Sequence, residues 1–92
     1  MKIRDQLMYP TAKILLVLLD GPKTDREIRD ILGMSLTTYH ENITWLIANG
    51  YTEKKGEGYI LTEKARQQLI KTFLPFLGYI EKLKENTTVS LI

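Results

Sequence analysis

A mainly α fold with one small β-hairpin is the class this sequence predicts. Three observations predict it: apolar residues at helical spacing in four separate stretches, cap and stop residues bounding those stretches, and two short β-rich segments around a glycine-punctuated tip. The 92 residues are 43% apolar and 26% charged, which fits one domain over 1–92. A chain this short buries little core and often leans on a partner for stability.

Pro10 suits a first helical turn, and Ala12 to Leu19 is apolar on nearly every face, so the first helix is expected to be central. Asp20-Gly21-Pro22 ends it. Thr24-Asp25-Arg26-Glu27 then reads as a capping box, in which the threonine hydroxyl and the glutamate carboxylate satisfy orphan amides at a helix start. The second helix places Ile28, Ile31 and Leu32 on one stripe, and Gly33 closes it just before the next cap, Ser35. Two short helices joined so tightly predict a helix-turn-helix.

The third helix carries Leu36, Tyr39, Ile43, Leu46 and Ile47 on its apolar face, leaving Thr37, Thr38, Glu41, Thr44, Trp45 and Ala48 facing away; Gly50 supplies the stop. Tyr51 to Lys54 and Tyr59 to Thr62 form the hairpin, with Lys55-Gly56-Glu57-Gly58 as its tip and Tyr51, Tyr59 and Leu61 turned mainly toward the core. Thr62 caps a final helix over 63–85, following the core at 10–62. Its row of Leu69, Phe73, Phe76, Ile80 and Leu83 runs beside a second row of Ile70, Leu74 and Leu77. Pro75 and Gly78 predict a kink or a break into two helices, and residues 86–92 form a tail with no assigned place.

Composition excludes several function classes. The absence of cysteine removes disulfides and thiolate metal sites, and a single histidine, His40, leaves no basis for a histidine zinc site. One histidine and scattered carboxylates assemble no catalytic constellation, so no enzyme is expected and no cofactor is implied. Gly56-Glu57-Gly58 lacks the lysine and following helix of a phosphate loop. The longest apolar run, Ile14 to Leu19, is far too short to cross a bilayer, and the start MKIRDQLMYP has no apolar signal core. The expectation is therefore a cytoplasmic protein with neither membrane nor metal among its partners.

The order helix, helix-turn-helix, hairpin, helix is that of a winged helix. The residues KILLVLLDGPKTDREIRDILGMSLTTYHENITWLIANGYTEK followed by YILTEKA resemble that DNA-binding family over roughly residues 10 to 70. The chain is similar to regulators of the MarR, PadR and ArsR groups. YPTAKILLVLLD and MSLTTYHENITWLIANGYTEK look most like small stand-alone winged-helix proteins of archaea and their viruses. The resemblance implies a homodimeric, sequence-specific regulator of transcription on double-stranded DNA, its third helix in the major groove and its hairpin wing on the backbone or minor groove. The sequence departs from the pattern in lacking any ArsR-like metal cluster, in carrying Glu57 near the wing tip, and in having Ala65 where many relatives have glycine.

The third helix contains no lysine or arginine. Phosphate neutralisation supplies affinity whereas base edges supply sequence, and the two tasks need not share a helix. Thr37, Thr38, Glu41 and Thr44 are the base-contact candidates, the threonine methyls being complementary to the thymine methyl. Lys23, Arg26, Lys54 and Lys55, with the helix start at Ser35, are the phosphate-contact candidates, followed by Lys64 and Arg66. Without a bidentate guanine reader the site is expected to lean toward A·T.

Trp45 faces away from the core stripe and needs cover from the wing, the N-terminal segment or a ligand; His40 is expected to be partly buried. The apolar rows of the last helix predict homodimerisation through Leu69, Phe73, Phe76, Leu77, Ile80 and Leu83, and hence a palindromic operator. The alternative is a winged helix acting as a protein-interaction adaptor without DNA binding.

Overall fold

Pro10 occupies the first turn of α1 (Pro10–Val17), where its missing N–H costs nothing, and a 3₁₀ turn at Leu18–Asp20 completes that segment. The computed structural model describes residues 8–86; the tail expected beyond residue 86 and the N-terminal stretch 1–7 lie outside the described residues. Helix α2 (Asp25–Leu32) begins on the predicted capping box, with the Thr24 hydroxyl accepting the Glu27 N–H at 3.2 Å and the Glu27 carboxylate accepting the Thr24 N–H at 2.8 Å. It ends at Gly33, whose φ of 62° is the left-handed stop that glycine supplies without strain. Helix α3 (Leu36–Ala48) follows at once, capped by Ser35.

The wing is a three-stranded sheet. Strands β2 (Thr52–Lys55) and β3 (Gly58–Leu61) form the hairpin around Gly56-Glu57, and a two-residue strand β1 (Lys23–Thr24), which the sequence reading missed, pairs antiparallel with β3 in the order β1-β3-β2. The predicted strand ends are each displaced by one residue. Thr62 caps α4 (Glu63–Phe73) as expected, accepting the Ala65 N–H at 3.1 Å. The expected break falls at Pro75: a 3₁₀ turn at Leu74–Phe76 separates α4 from α5 (Leu77–Asn86). No helix of the described residues is long and apolar enough to cross a membrane.

The core gathers one stripe from each element. Ile14, Leu15 and Leu18 meet Ile28 of α2, Tyr39, Ile43 and Leu46 of α3, Tyr59 and Leu61 of β3, and Ala65 of α4. Ala65 is fully buried, so its methyl is a packed core atom. Three expected core residues are exposed instead: Ile31, Leu36 and Ile47. A helix touching the body along a narrow line buries positions 39, 43 and 46, and residues at the stripe's edges fall outside it. Leu19 is also half-exposed, so α1 is wrapped on most sides but not all.

The capping box gives one direct test. The Thr24 backbone N–H, and then the Thr24 hydroxyl, hold the Glu27 carboxyl below its ordinary value. A depressed folded value means that its contribution is present above the unfolded carboxylate pKa and is lost as pH falls through the folded one. Thr24→Ala is expected to cost about 1 kcal/mol in urea denaturation at neutral pH. Glu27→Gln should lose the acid-side part of the stability–pH profile; an unchanged profile would remove the box from the account of α2.

Candidate nucleic-acid interface

Helix α3 is held rigidly from within and bare without. Its inner face is buried through Tyr39, Ile43 and Leu46. The Tyr39 hydroxyl donates to the Asp25 carboxylate at the start of α2, tying the two helices of the helix-turn-helix to each other. Burial, and then that carboxylate, push the Tyr39 phenol far above its ordinary pKa, so it remains a neutral donor. Gly33 and the Ser35 cap fix the turn between these helices.

On the outer face Thr37, Glu41 and Thr44 are exposed, as predicted for base-contact candidates. Thr38 is half-buried, and its hydroxyl accepts a 3.0 Å hydrogen bond from Ser35. Ser35 in turn accepts the Thr38 N–H at 3.2 Å, and Asn42 donates to the Thr38 carbonyl at 2.7 Å. This pair therefore shapes the first turn of α3, whose Leu36 and Thr37 amides precede the first intrahelical bond, Tyr39 N–H to the Ser35 carbonyl. His40 is exposed, contrary to the partial burial expected of it. It lies beyond the edge of the buried stripe, next to Glu41.

Trp45 is covered in part from within the chain, by the residue after the stop of α3. Its ring stacks on Tyr51 with centroids 5.8 Å apart and planes at 23°, yet 51% of the residue remains exposed. Lys64 finishes the stack: its ammonium lies 4.8 Å from the Tyr51 centroid and donates to the Asn49 carbonyl at 2.7 Å. Asn49 is the C-cap of α3, so the Lys64 ammonium sits at the negative end of that helix.

The cations are arranged by the sheet. In register, Lys23 of β1 faces Tyr59 of β3, which faces Lys54 of β2. Directly opposed residues share a face, so Lys23 and Lys54 flank Tyr59 in one row about 10 Å across. The Lys54 ammonium lies 5.4 Å from the Tyr59 ring centroid. Lys55 is the next residue along and points to the opposite face. The adjacent pair read from sequence as one basic tip is thus split, and Lys54 joins Lys23 instead. Arg26, exposed in the first turn of α2, is 3.9 Å from Asp30 in a solvated i,i+4 pair that leaves it free to rearrange. Of the six residues expected at a dimer interface, Leu69 and Phe73 are half-buried, Leu69 packing on the core, whereas Phe76, Leu77, Ile80 and Leu83 are exposed.

No family model matches the chain, and no curated protein matches it. Among solved structures it is similar to the activation domain of the phage T4 transcription factor MotA, with a TM-score of 0.66 and 30% identity covering 86% of each chain. That neighbour is a domain of a transcription factor and not an enzyme.

Proposed function

On the premise that the chain belongs with this winged-helix-like transcription-factor domain, which supports a role in transcription regulation, we propose that it is a regulator that binds double-stranded DNA as a homodimer. The carrying observation is the construction of α3: it is locked to α2 through Tyr39 and Asp25, and its outer face of Thr37, Glu41 and Thr44 is left uncovered. Base edges are met by these side chains and phosphates by the Leu36 and Thr37 amides, Arg26, Lys23 and the wing lysines. The element order supports kinship with the MarR, PadR and ArsR regulators and with small archaeal and viral winged helices. A two-fold arrangement places the reading helices roughly 34 Å apart on a palindrome leaning toward A·T. The proposed place of action is the cytoplasm.

Selection of duplexes from a randomised pool tests this reading, the expected result being an enriched palindrome whose positions under α3 are not guanines. With six to eight phosphates engaged per dimer, log affinity falls against log salt with a slope of about −5 to −7. Lys54→Glu with Lys55→Glu removes up to four contacts per dimer and should flatten that slope by about 3 to 4. Failure to retain any duplex at low ionic strength would reject the reading.

A second reading, a protein-interaction adaptor, has its own support. Leu36, Trp45 and Ile47 are exposed on a helix without cations, and the neighbouring structure is named as an activation domain. Under it the wing reversals leave partner binding nearly intact, whereas Trp45→Ala weakens it.

A further inference from the structure

Glu41, the only carboxylate of α3, stands one turn before Trp45, so the acid and the indole share a row on the outer face of that helix. Both are exposed, as is Tyr9, the residue that precedes α1. With Thr11 and Asn42 these three line an open pocket of about 320 Å³. That volume is at the lower end of the roughly 300–1,000 Å³ found for small-molecule sites.

The lining selects the charge of what enters. It consists of two aromatic rings, one carboxylate, a hydroxyl and an amide, and the Asn42 amide nitrogen is already used on the Thr38 carbonyl at 2.7 Å. No lysine, arginine or histidine lines the pocket, so it holds nothing to neutralise an anion. A metal ion is no better served, since among the described residues no group of three or more His, Asp or Glu side chains could hold one. Ring faces beside a single carboxylate suit a large, weakly hydrated organic cation, which the ring quadrupoles attract and the carboxylate balances. The chain's own lysines serve its other tyrosines: Lys64 lies 4.8 Å from the Tyr51 ring centroid, Lys54 5.4 Å from that of Tyr59, and Lys82 5.6 Å from that of Tyr79. Among the described residues no ammonium stands over Tyr9 or Trp45 and no cation pairs with Glu41.

We propose that this pocket binds a small organic ammonium ion, its cationic centre against the Tyr9 and Trp45 rings and the Glu41 carboxylate. The site is built from the start of α1 and the outer face of α3 within one chain and needs no second copy. Its consequence for the reading helix is steric. The major groove is about 12 Å wide and a helix with its side chains is about 10–12 Å across, so an ion seated on Glu41 and a base pair beneath Glu41 exclude each other. The ammonium therefore competes with duplex. This competition rests on the proposed function, whereas the cation site does not.

Trp45 is the only tryptophan of the chain, so its emission reports on the pocket directly. Choline chloride is the probe. The controls are sodium chloride at equal ionic strength and dimethylbutanol, in which an uncharged tert-butyl group replaces the trimethylammonium. Choline should change the emission saturably, with a dissociation constant on the order of millimolar, as exposed cation–π and ion-pair contacts allow, and neither control should. Glu41→Gln and Tyr9→Leu keep the fluorophore and replace exposed side chains; each should weaken choline binding about 2- to 5-fold. A response to choline matched by either control, or variants that bind choline as the native chain does, would overturn the site. In a duplex titration at constant ionic strength, duplex affinity should halve when choline equals its dissociation constant. Saturation by choline with unchanged duplex affinity overturns the competition. Saturation by choline in a chain that retains no duplex rejects the proposed function, and the competition with it, while the cation site stands.

Discussion

Tyr39→Ala should destabilise the fold by about 3–5 kcal/mol, the range for removing a large buried aromatic side chain. Tyr39 is fully buried, and its ring lies in the cluster made by α1, α2, α3 and β3. Its hydroxyl also anchors α2 by donating to Asp25. Alanine therefore opens a cavity and deprives a half-buried carboxylate of its donor. Tyr39→Phe separates these effects: it keeps the ring and should cost about 1–3 kcal/mol through the unsatisfied carboxylate. Because the folded phenol pKa is raised, its contribution is complete below the unfolded value near 10 and is lost only as pH rises through the folded value. At roughly 4–8 °C per kcal/mol the alanine variant should melt at least 12 °C lower. A shift of only a few degrees, with the phenylalanine variant indistinguishable from the native chain, would mean that this cluster does not hold the helix-turn-helix together.

Much of that architecture was legible in the residues because its signals are local. Thr24 with Glu27, Ser35 and Thr62 each cap a helix through an oxygen three residues from the amide it accepts. Pro75 breaks the last helix because a residue without an N–H cannot continue the ladder. The strand β1 was not legible: two residues carry no alternation, and what makes Lys23 and Thr24 a strand is the edge of β3, some 35 residues away in sequence. With β1 went the row Lys23, Tyr59, Lys54, so the wing cations were read as a sequence-adjacent pair and not as a cross-strand one. The hydrogen bonds of Thr38 to the Ser35 cap and of Lys64 to the end of α3 carried no sequence signal either. Trp45 left a visible signal, a large ring on a polar face, but its partner Tyr51 lies beyond the helix stop and helical periodicity says nothing of it.

Gly58→Ala is the substitution that tests the missed strand. A Cβ built on Gly58 would lie 2.8 Å from the Lys23 carbonyl oxygen and 3.0 Å from its carbonyl carbon. Both are backbone atoms, which cannot rotate aside as a flexible side chain could. Relief requires β1 to move off β3, which loses the Thr24–Gly58 and Lys23–Tyr59 pairings and shifts Thr24, the residue that also caps α2. Overpacking of this kind costs about 1–3 kcal/mol, and a weakened cap adds up to about 1 kcal/mol more. Gly56→Ala is the contrasting variant: no atom lies within 4 Å of its Cβ, and its cost is confined to the strained φ of +63°. The two alanines are therefore separable by amide exchange, since only Gly58→Ala should expose the β1–β3 amides while both keep the β2–β3 hairpin. If Lys23 and Lys54 act as one row on a phosphate backbone, Gly58→Ala should also weaken duplex binding without changing a single charge. Retained protection across β1, with native stability, would show that the third strand is not what positions Lys23.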